Sequence, residues 1–393
     1  MGTLSGLKVV EMAGLGPAPF CAMMLADLGA RVIRIERPDA EDGRGNVLLR
    51  NRQSIAVDAK QPAGRDIILE LVEDADLLIE GFRPGVMERL GLGPDACLGR
   101  HPRLVYGRVT GWGQDGPLAQ AAGHDINYVS LAGVTHSIGS PGGPPVPPLN
   151  LVGDYGGGGM LLAFGLMAAA WEAARTGKGQ VIDCAMVDGA STLLAEYYSF
   201  HAAGSFQGER GTHLLDGGAH FYGCYETSDG KYISIGALES KFYRQLLARL
   251  GIEDAAWLNQ ADPGQWVMRR ARFAEIFRTR TRDEWCALLE GTDVCFAPVL
   301  AFGEVGGHRH IKARETLIEI DGIVQPAPAP RFGRTPSSFP EPGKLPGADT
   351  RTVLADLGMD ERTISALMRE GVVGEPAGAQ PDNLLVADSG GSK

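Results

Sequence analysis

The sequence predicts an α/β protein with a Rossmann-like large domain followed by a smaller α+β domain. Two observations lead there. From residue 7 to residue 109, short runs of aliphatic and β-branched residues alternate with segments of helix length, the pattern of a parallel sheet covered on both faces. Near residue 221 that alternation gives way to two short strands around a Ser-Asp-Gly turn, after a passage rich in glycine and without apolar period. At 393 residues the chain is long enough for two cores.

Strands are expected at 7–11, 31–36, 54–57, 77–80 and 104–109, with helices at 20–28, ended by Gly29, and at 64–74. The first loop has two fingerprint glycines, Gly14 and Gly16, but Pro19 stands where the third belongs. Proline brings no N–H to a pyrophosphate, so a nicotinamide-dependent dehydrogenase is disfavoured. Asp154, directly before Tyr155 and four glycines, reads as the N-cap of an apolar helix that Gly177 and its basic neighbours stop. A strand at 180–184 and a helix at 186–198 complete the large domain, residues 1–200. A linker at 201–219 leads to the small domain, 220–310, with a hairpin at 221–226 and 231–235. Helices follow at 241–250, near 266–278 and from Thr281, where Glu284 completes a capping box. A Pro-rich return linker covers 311–346, two helices within 347–373 rejoin the large domain, and the tail at 374–393 reads as disordered.

A net charge of −11 argues against nucleic acid as a partner. Locally, residues 31–60 carry seven basic against five acidic side chains, a balance compatible with a small polyphosphate or with a solvated surface. Arg34, Arg50 and Arg52 could serve either. The six cysteines include no CxxC pair, so neither a disulfide framework nor a metal site is expected. No basic-then-apolar leader opens the chain, and the most apolar helical run, 160–171, is shorter than the ~20 residues of a membrane span. A cytoplasmic protein without a membrane partner is the expectation.

Chemistry concentrates between residues 107 and 159. His124 and Asp154 are two candidate proton carriers, each beside glycines that let backbone approach a ligand. A helix N-terminus at Asp154 would offer N–H groups to a developing anion. Read singly, His124 is as well a packed or surface histidine, and Asp154 simply a cap.

These residues also carry a resemblance. GHDINY at 123–128, PPLNLVGDYGGG at 147–158, GFRPGVMERLGLGP at 81–94, NRQSIAVDAK at 51–60 and LDGGAHFYGCYETSDGKY at 215–232 resemble the α-methylacyl-CoA racemases, within the CaiB/BaiF (family III) CoA-transferase superfamily. The resemblance runs in order from Leu4 to about Ser338, and His124 is its racemase-like piece. It implies a homodimer of interlocked subunits, an acyl-CoA thioester substrate, and no cofactor beyond the coenzyme A that the substrate carries. It assigns proton transfer to His124 and Asp154 and places Glu239 beside the catalytic Asp. From sequence alone Glu239 is an ordinary acid at a helix start. Coenzyme A would be held by Arg37, Val57, Asp58, Ala59, Lys60, Gly81, Phe82, Arg83, Arg89, Gly123, Asp125, Ile126, Asn127 and Tyr128. The implied activity is racemisation at the α-carbon of 2-methylacyl-CoA through an enolate. The alternative is coenzyme A transfer between acids with Asp154 as nucleophile.

Overall fold

The computed structural model describes residues 2–376, so the expected tail lies outside the described residues from 377 onward. Six strands alternate with helices: β1 Lys8–Met12, β2 Arg31–Glu36, β3 Arg52–Val57, β4 Leu77–Glu80, β5 Val105–Thr110 and β6 Val181–Ala185. A second sheet joins β7 Tyr222–Glu226, β8 Tyr232–Gly236 and β9 Phe296–Val299, all antiparallel. β10 Leu317–Ile320 and β11 Ile323–Pro326 form a hairpin, and β12 Val373–Gly374 returns to pair with β3. The main sheet has the order β12-β3-β2-β1-β4-β5-β6, parallel except for β12.

Alternation along the strands divides the core between the two faces of this sheet. Val10, Ile55, Leu78 and Tyr106 pack on one face with Ile68 and Leu71 of the helix Pro62–Glu73. Val353, Leu354 and Ile364, from the helices Thr350–Asp356 and Glu361–Arg369, join the same cluster. Val9, Val32, Leu77 and Val105 face the other way, toward Cys21 and Leu25 of the helix Pro17–Asp27 and Leu162 and Leu166 of the helix Leu161–Thr176. Every residue of β4 and β5 is buried, as a parallel strand covered on both sides requires. The small sheet has its own core, in which Phe221, Tyr225, Ile233 and Ile235 meet Tyr243, Phe273, Phe277 and Trp285.

Three expectations need correction. The apolar run at 160–171 belongs to a continuous helix, Leu151–Thr176, of 26 residues, long and apolar enough by composition to cross a membrane. Its buried face, including Leu162, Leu166 and Ala169, packs into the sheet core, as in the core helix of a globular domain. The helix expected at 186–198 is two, Met186–Leu193 and Ala195–Ala202. The return passage from 311 carries the β10–β11 hairpin, turned at Asp321 (φ 51°) and Gly322 (φ 79°), both left-handed as a tight hairpin demands.

Candidate active site

Strand order reverses at β1, whose neighbours β2 and β4 continue the chain in opposite directions across the sheet. Open α/β sheets take ligands at such a point, outside the carboxyl ends of the strands. Here the loop at 14–17 after β1 and the loop at 81–84 after β4 line a cleft of about 450 Å³. Thr110 at the end of β5 and Gly111 and Trp112 after it add a wall, and Gly123, His124, Tyr128, Asp154 and Met186 complete it. His124 and Asp154, 30 positions apart in sequence, therefore open onto one space.

His124 is the extended residue (φ −132°) that caps the helix Asp125–Leu131, and its backbone N–H donates to Asn127 Oδ1 at 3.0 Å. Tyr128 folds back so that its hydroxyl donates to the Gly123 carbonyl, and its ring meets Trp112 edge-on at 4.7 Å. A Cβ at Gly111 would fall 2.0 Å from that ring and one at Gly123 2.8 Å, so both glycines are required by the tyrosine.

Asp154 is not the N-cap that the sequence suggests. The helix begins three residues earlier, after Asn150, and runs with π spacing over Leu151–Met160 before becoming α-helical. The Asp154 N–H donates to Asp125 Oδ1 at 2.7 Å, so it is not available to an anion in the cleft. Asn150 Nδ2 donates to the carboxylate of Asp154 at 3.0 Å. Across from it Gly16 (φ 67°) leaves room, since a Cβ there would sit 3.2 Å from Asp154 Oδ2.

Nor do the four glycines after Tyr155 all face a ligand. A Cβ at Gly157 would lie 2.7 Å from Ala190 N, at Gly158 2.8 Å from Pro17 Cβ, and at Gly159 2.7 Å from Phe20 Cδ1. The run is a packing surface that lets this helix close on the helices Pro17–Asp27 and Met186–Leu193.

The residues expected to hold coenzyme A separate into groups. Gly81, Phe82, Arg83, Gly123 and Tyr128 line the cleft. Ala59, Lys60 and Arg89 line a second, polar pocket of about 330 Å³ together with Gln61 and Arg65. Arg37 follows β2 and pairs on the surface with Asp39. Ile126 is exposed at the start of its helix, and Asn127 is spent on the His124 amide. Val57 is 2% exposed and packs in the core, so it offers a ligand no side chain, while Asp58 binds the Lys60 N–H and Gln61. Asp125 is 8% exposed, and its carboxylate is held against the Asp154 amide rather than presented to a ligand. Burial, with the nearby Asp154 charge, pushes its carboxyl above the usual range. Arg34, Arg50 and Arg52 are neither phosphate contacts nor surface: they are buried against Glu11, Glu36 and Asp27. The basic excess of residues 31–60 is thus largely internal.

Glu239 caps the exposed start of the helix Ser240–Arg249 beside the small sheet, and no residue beyond Met186 lines the cleft among the described residues. Within one chain it is not brought to Asp154. Sequence reasoning also passed over Trp112, Asn150 and the task of Asp125. Asn150 sits four residues before Asp154, the helical spacing that brings two side chains together, and so could have been found.

The model of CoA-transferase family III matches residues 4–350. The α-methylacyl-CoA racemases of Mus musculus and Homo sapiens are each 41% identical to this chain, covering 94% of it and 97% of their own length. The succinyl-CoA–L-malate CoA-transferase beta subunit of Chloroflexus aurantiacus is 30% identical over 94% of the chain and 98% of its own. A crystal structure of a CAIB/BAIF family protein from Brucella suis superposes with a TM-score of 0.79 at 27% identity, covering 91% of this chain and 99% of that one. The chain belongs to CoA-transferase family III, the CaiB/BaiF family.

Proposed function

We propose that this protein interconverts the two enantiomers at the α-carbon of 2-methylacyl-CoA thioesters. The observation that carries the reading is the convergence of an imidazole and a carboxylate on one cleft, His124 and Asp154. Their backbones are tied together through Asp125, the neighbour of His124 whose carboxylate accepts the Asp154 N–H. An α-proton beside a thioester is too weakly acidic to be removed without relief of charge on the enolate oxygen. The Asp154 amide is engaged on Asp125 and the Asn127 N–H on the His124 carbonyl, so neither supplies that relief. One group takes the proton and the other, protonated, returns a proton to the opposite face. The roles exchange for the other enantiomer, each worth about 10²–10⁴-fold.

The reaction needs no cofactor beyond the coenzyme A of the substrate itself. Lys60 and Arg89 suit its phosphates, while the glycines at 81, 111 and 123 give the pantetheine a backbone surface. Glu239 joins Asp154 if a second copy brings its small sheet over the cleft, as an interlocked homodimer would. The racemase relatives support this reading over the transferase one, being more similar to this chain.

The test uses one enantiomer of a 2-methylacyl-CoA in deuterium oxide with enzyme alone. The expected result is deuterium at the α-carbon and approach to an even mixture, with inversion abolished in His124→Ala and in Asp154→Ala. Absence of exchange and inversion across several such thioesters, with coenzyme A moved to an added acid, would overturn the proposal in favour of Asp154 as a transferase nucleophile.

A further inference from the structure

One guanidinium lies beneath the loop that joins the cleft to the polar pocket. Arg108, on β5, is 6% exposed. Its Nε donates to Glu80 Oε1 at 2.7 Å, and its Nη1 and Nη2 donate to Glu88 Oε1 and Oε2 at 2.8 and 3.3 Å. Glu80 ends β4 and Glu88 lies in the short helix Val86–Arg89, so the two carboxylates bracket residues 81–87. The other oxygen of Glu80 accepts the Phe82 N–H at 2.7 Å, fixing the first turn of the same loop. From its opposite side Gln120 Nε2 donates to Pro84 O at 3.2 Å.

This loop supplies Gly81, Phe82 and Arg83 to the cleft, and Arg89 directly after it supplies the second pocket. The distance between the two recognition surfaces is therefore set by where the loop begins and ends. Both points are fixed by one planar fork with five donors, geometry that an ammonium on a flexible stem cannot reproduce.

We propose that Arg108 is a positioning residue for thioester binding: by holding Glu80 and Glu88 together it pre-sets Arg83 and Arg89 for the two ends of one coenzyme A moiety. This rests on the acyl-CoA reading and names what organises that site. Arg108 lines neither the cleft nor the polar pocket, so its effect is on affinity rather than on the proton transfers at His124 and Asp154. With the clamp cut, the loop and its two arginines must be ordered anew at each binding event.

The clamp can be cut without opening the core. Glu80 is fully buried, and removing Arg108 would strand its charge, whereas the Glu88 side chain is 45% exposed. Glu88→Gln removes the charge and one of the two acceptors from the far end while the Arg108–Glu80 pair remains, and Arg108→Lys keeps the charge but not the fork. Each variant is expected to bind free coenzyme A about tenfold more weakly by calorimetry, the scale set by re-ordering two long side chains. KM for the thioester should rise in parallel while kcat stays within about twofold. In ligand-free protein, amide exchange over residues 81–87 should accelerate in both variants.

The sign of the Glu88→Gln effect separates this proposal from the plain alternative. A carboxylate that merely faces phosphates repels them, and its loss would tighten binding. Tightened or unchanged affinity, or a fall in kcat at constant KM, overturns the clamp. Unaltered exchange over residues 81–87 also overturns it. Failure of the wild type to bind coenzyme A would sink the acyl-CoA reading instead, and the exchange measurement on free protein would still decide whether Arg108 orders the loop.

Discussion

Gly153→Ala places a methyl group between the two groups that align the proposed proton carriers. A Cβ at this position would lie 2.2 Å from Asp125 Oδ1, 2.8 Å from its Cγ and 3.1 Å from Val129 Cγ1. To reach ordinary contact the carboxylate must retreat by about 1 Å, and its 2.7 Å bond to the Asp154 N–H is then lost. Overpacking of this kind costs about 1–3 kcal/mol. The lost charge-assisted hydrogen bond adds about 1.5–3 kcal/mol. Displacement of Asp154 by a comparable distance should lower kcat by about 10²-fold. Denaturant unfolding gives the first quantity, and the rate of deuterium-labelled inversion gives the second. Adding Asp125→Ala separates them, because the double variant has no carboxylate to clash with. It should recover the overpacking part of the stability while its kcat remains low. A Gly153→Ala enzyme with wild-type kcat would show that the Asp125–Asp154 bond does not align the site. A double variant no more stable than Gly153→Ala would show that the clash is not where the geometry puts it.

Two further outcomes are expected. His220 is fully buried, with Nε2 2.7 Å from the Tyr243 hydroxyl; burial first, then Arg269 and Arg270, hold its pKa down to about 3 against an ordinary 6.5. The unfolded chain then takes a proton that the folded one refuses, so stability should fall as pH drops from 6.5 toward 3 and level off below. That fall should be reduced by up to one proton's worth in His220→Gln, and a wild-type-like slope in the variant would show that another group causes it. For the proposed interlocked dimer, His124→Ala and Glu239→Gln chains, each inactive alone, should regain turnover when refolded together, because a mixed dimer would have one site with both residues intact. No recovery in verified mixed dimers would place Glu239 outside the neighbouring chain's site.

Much of the sheet is legible because its strands carry their own signal. β2 at Arg31–Glu36 is built from β-branched aliphatic residues among charged ones and falls where expected, and Thr281 caps its helix with Glu284 as the motif implies. The β10–β11 hairpin was also written in the sequence, as Asp321-Gly322 between Ile320 and Ile323 of two β-branched runs, but the prolines that follow obscured it. β12 is different in kind. It has two residues, and only its pairing with β3 makes it a strand. At the site, the shared cleft of His124 and Asp154 follows from topology that no local pattern reports. The buried arginines mislead for a related reason: a charge run looks the same whether its partners are solvent or, as for Arg50, an aspartate 23 residues away.

The helix bearing Asp154 shows why that limit lies where it does. Four consecutive glycines are poor helix formers, and by propensity the segment should be a loop with its first turn at or after the glycines. In the fold their missing side chains are what admits the helix, because each Cβ at Gly157, Gly158 and Gly159 would strike a neighbour within 3 Å. Contact with Pro17, Phe20, Met186 and Ala190 therefore takes the place of intrinsic propensity in holding the turn that carries Asp154. Alanine, the better helix former, is excluded at these positions by the packing that makes the helix. The orientation of the carboxylate thus depends on two other helices as much as on the local sequence around Asp154.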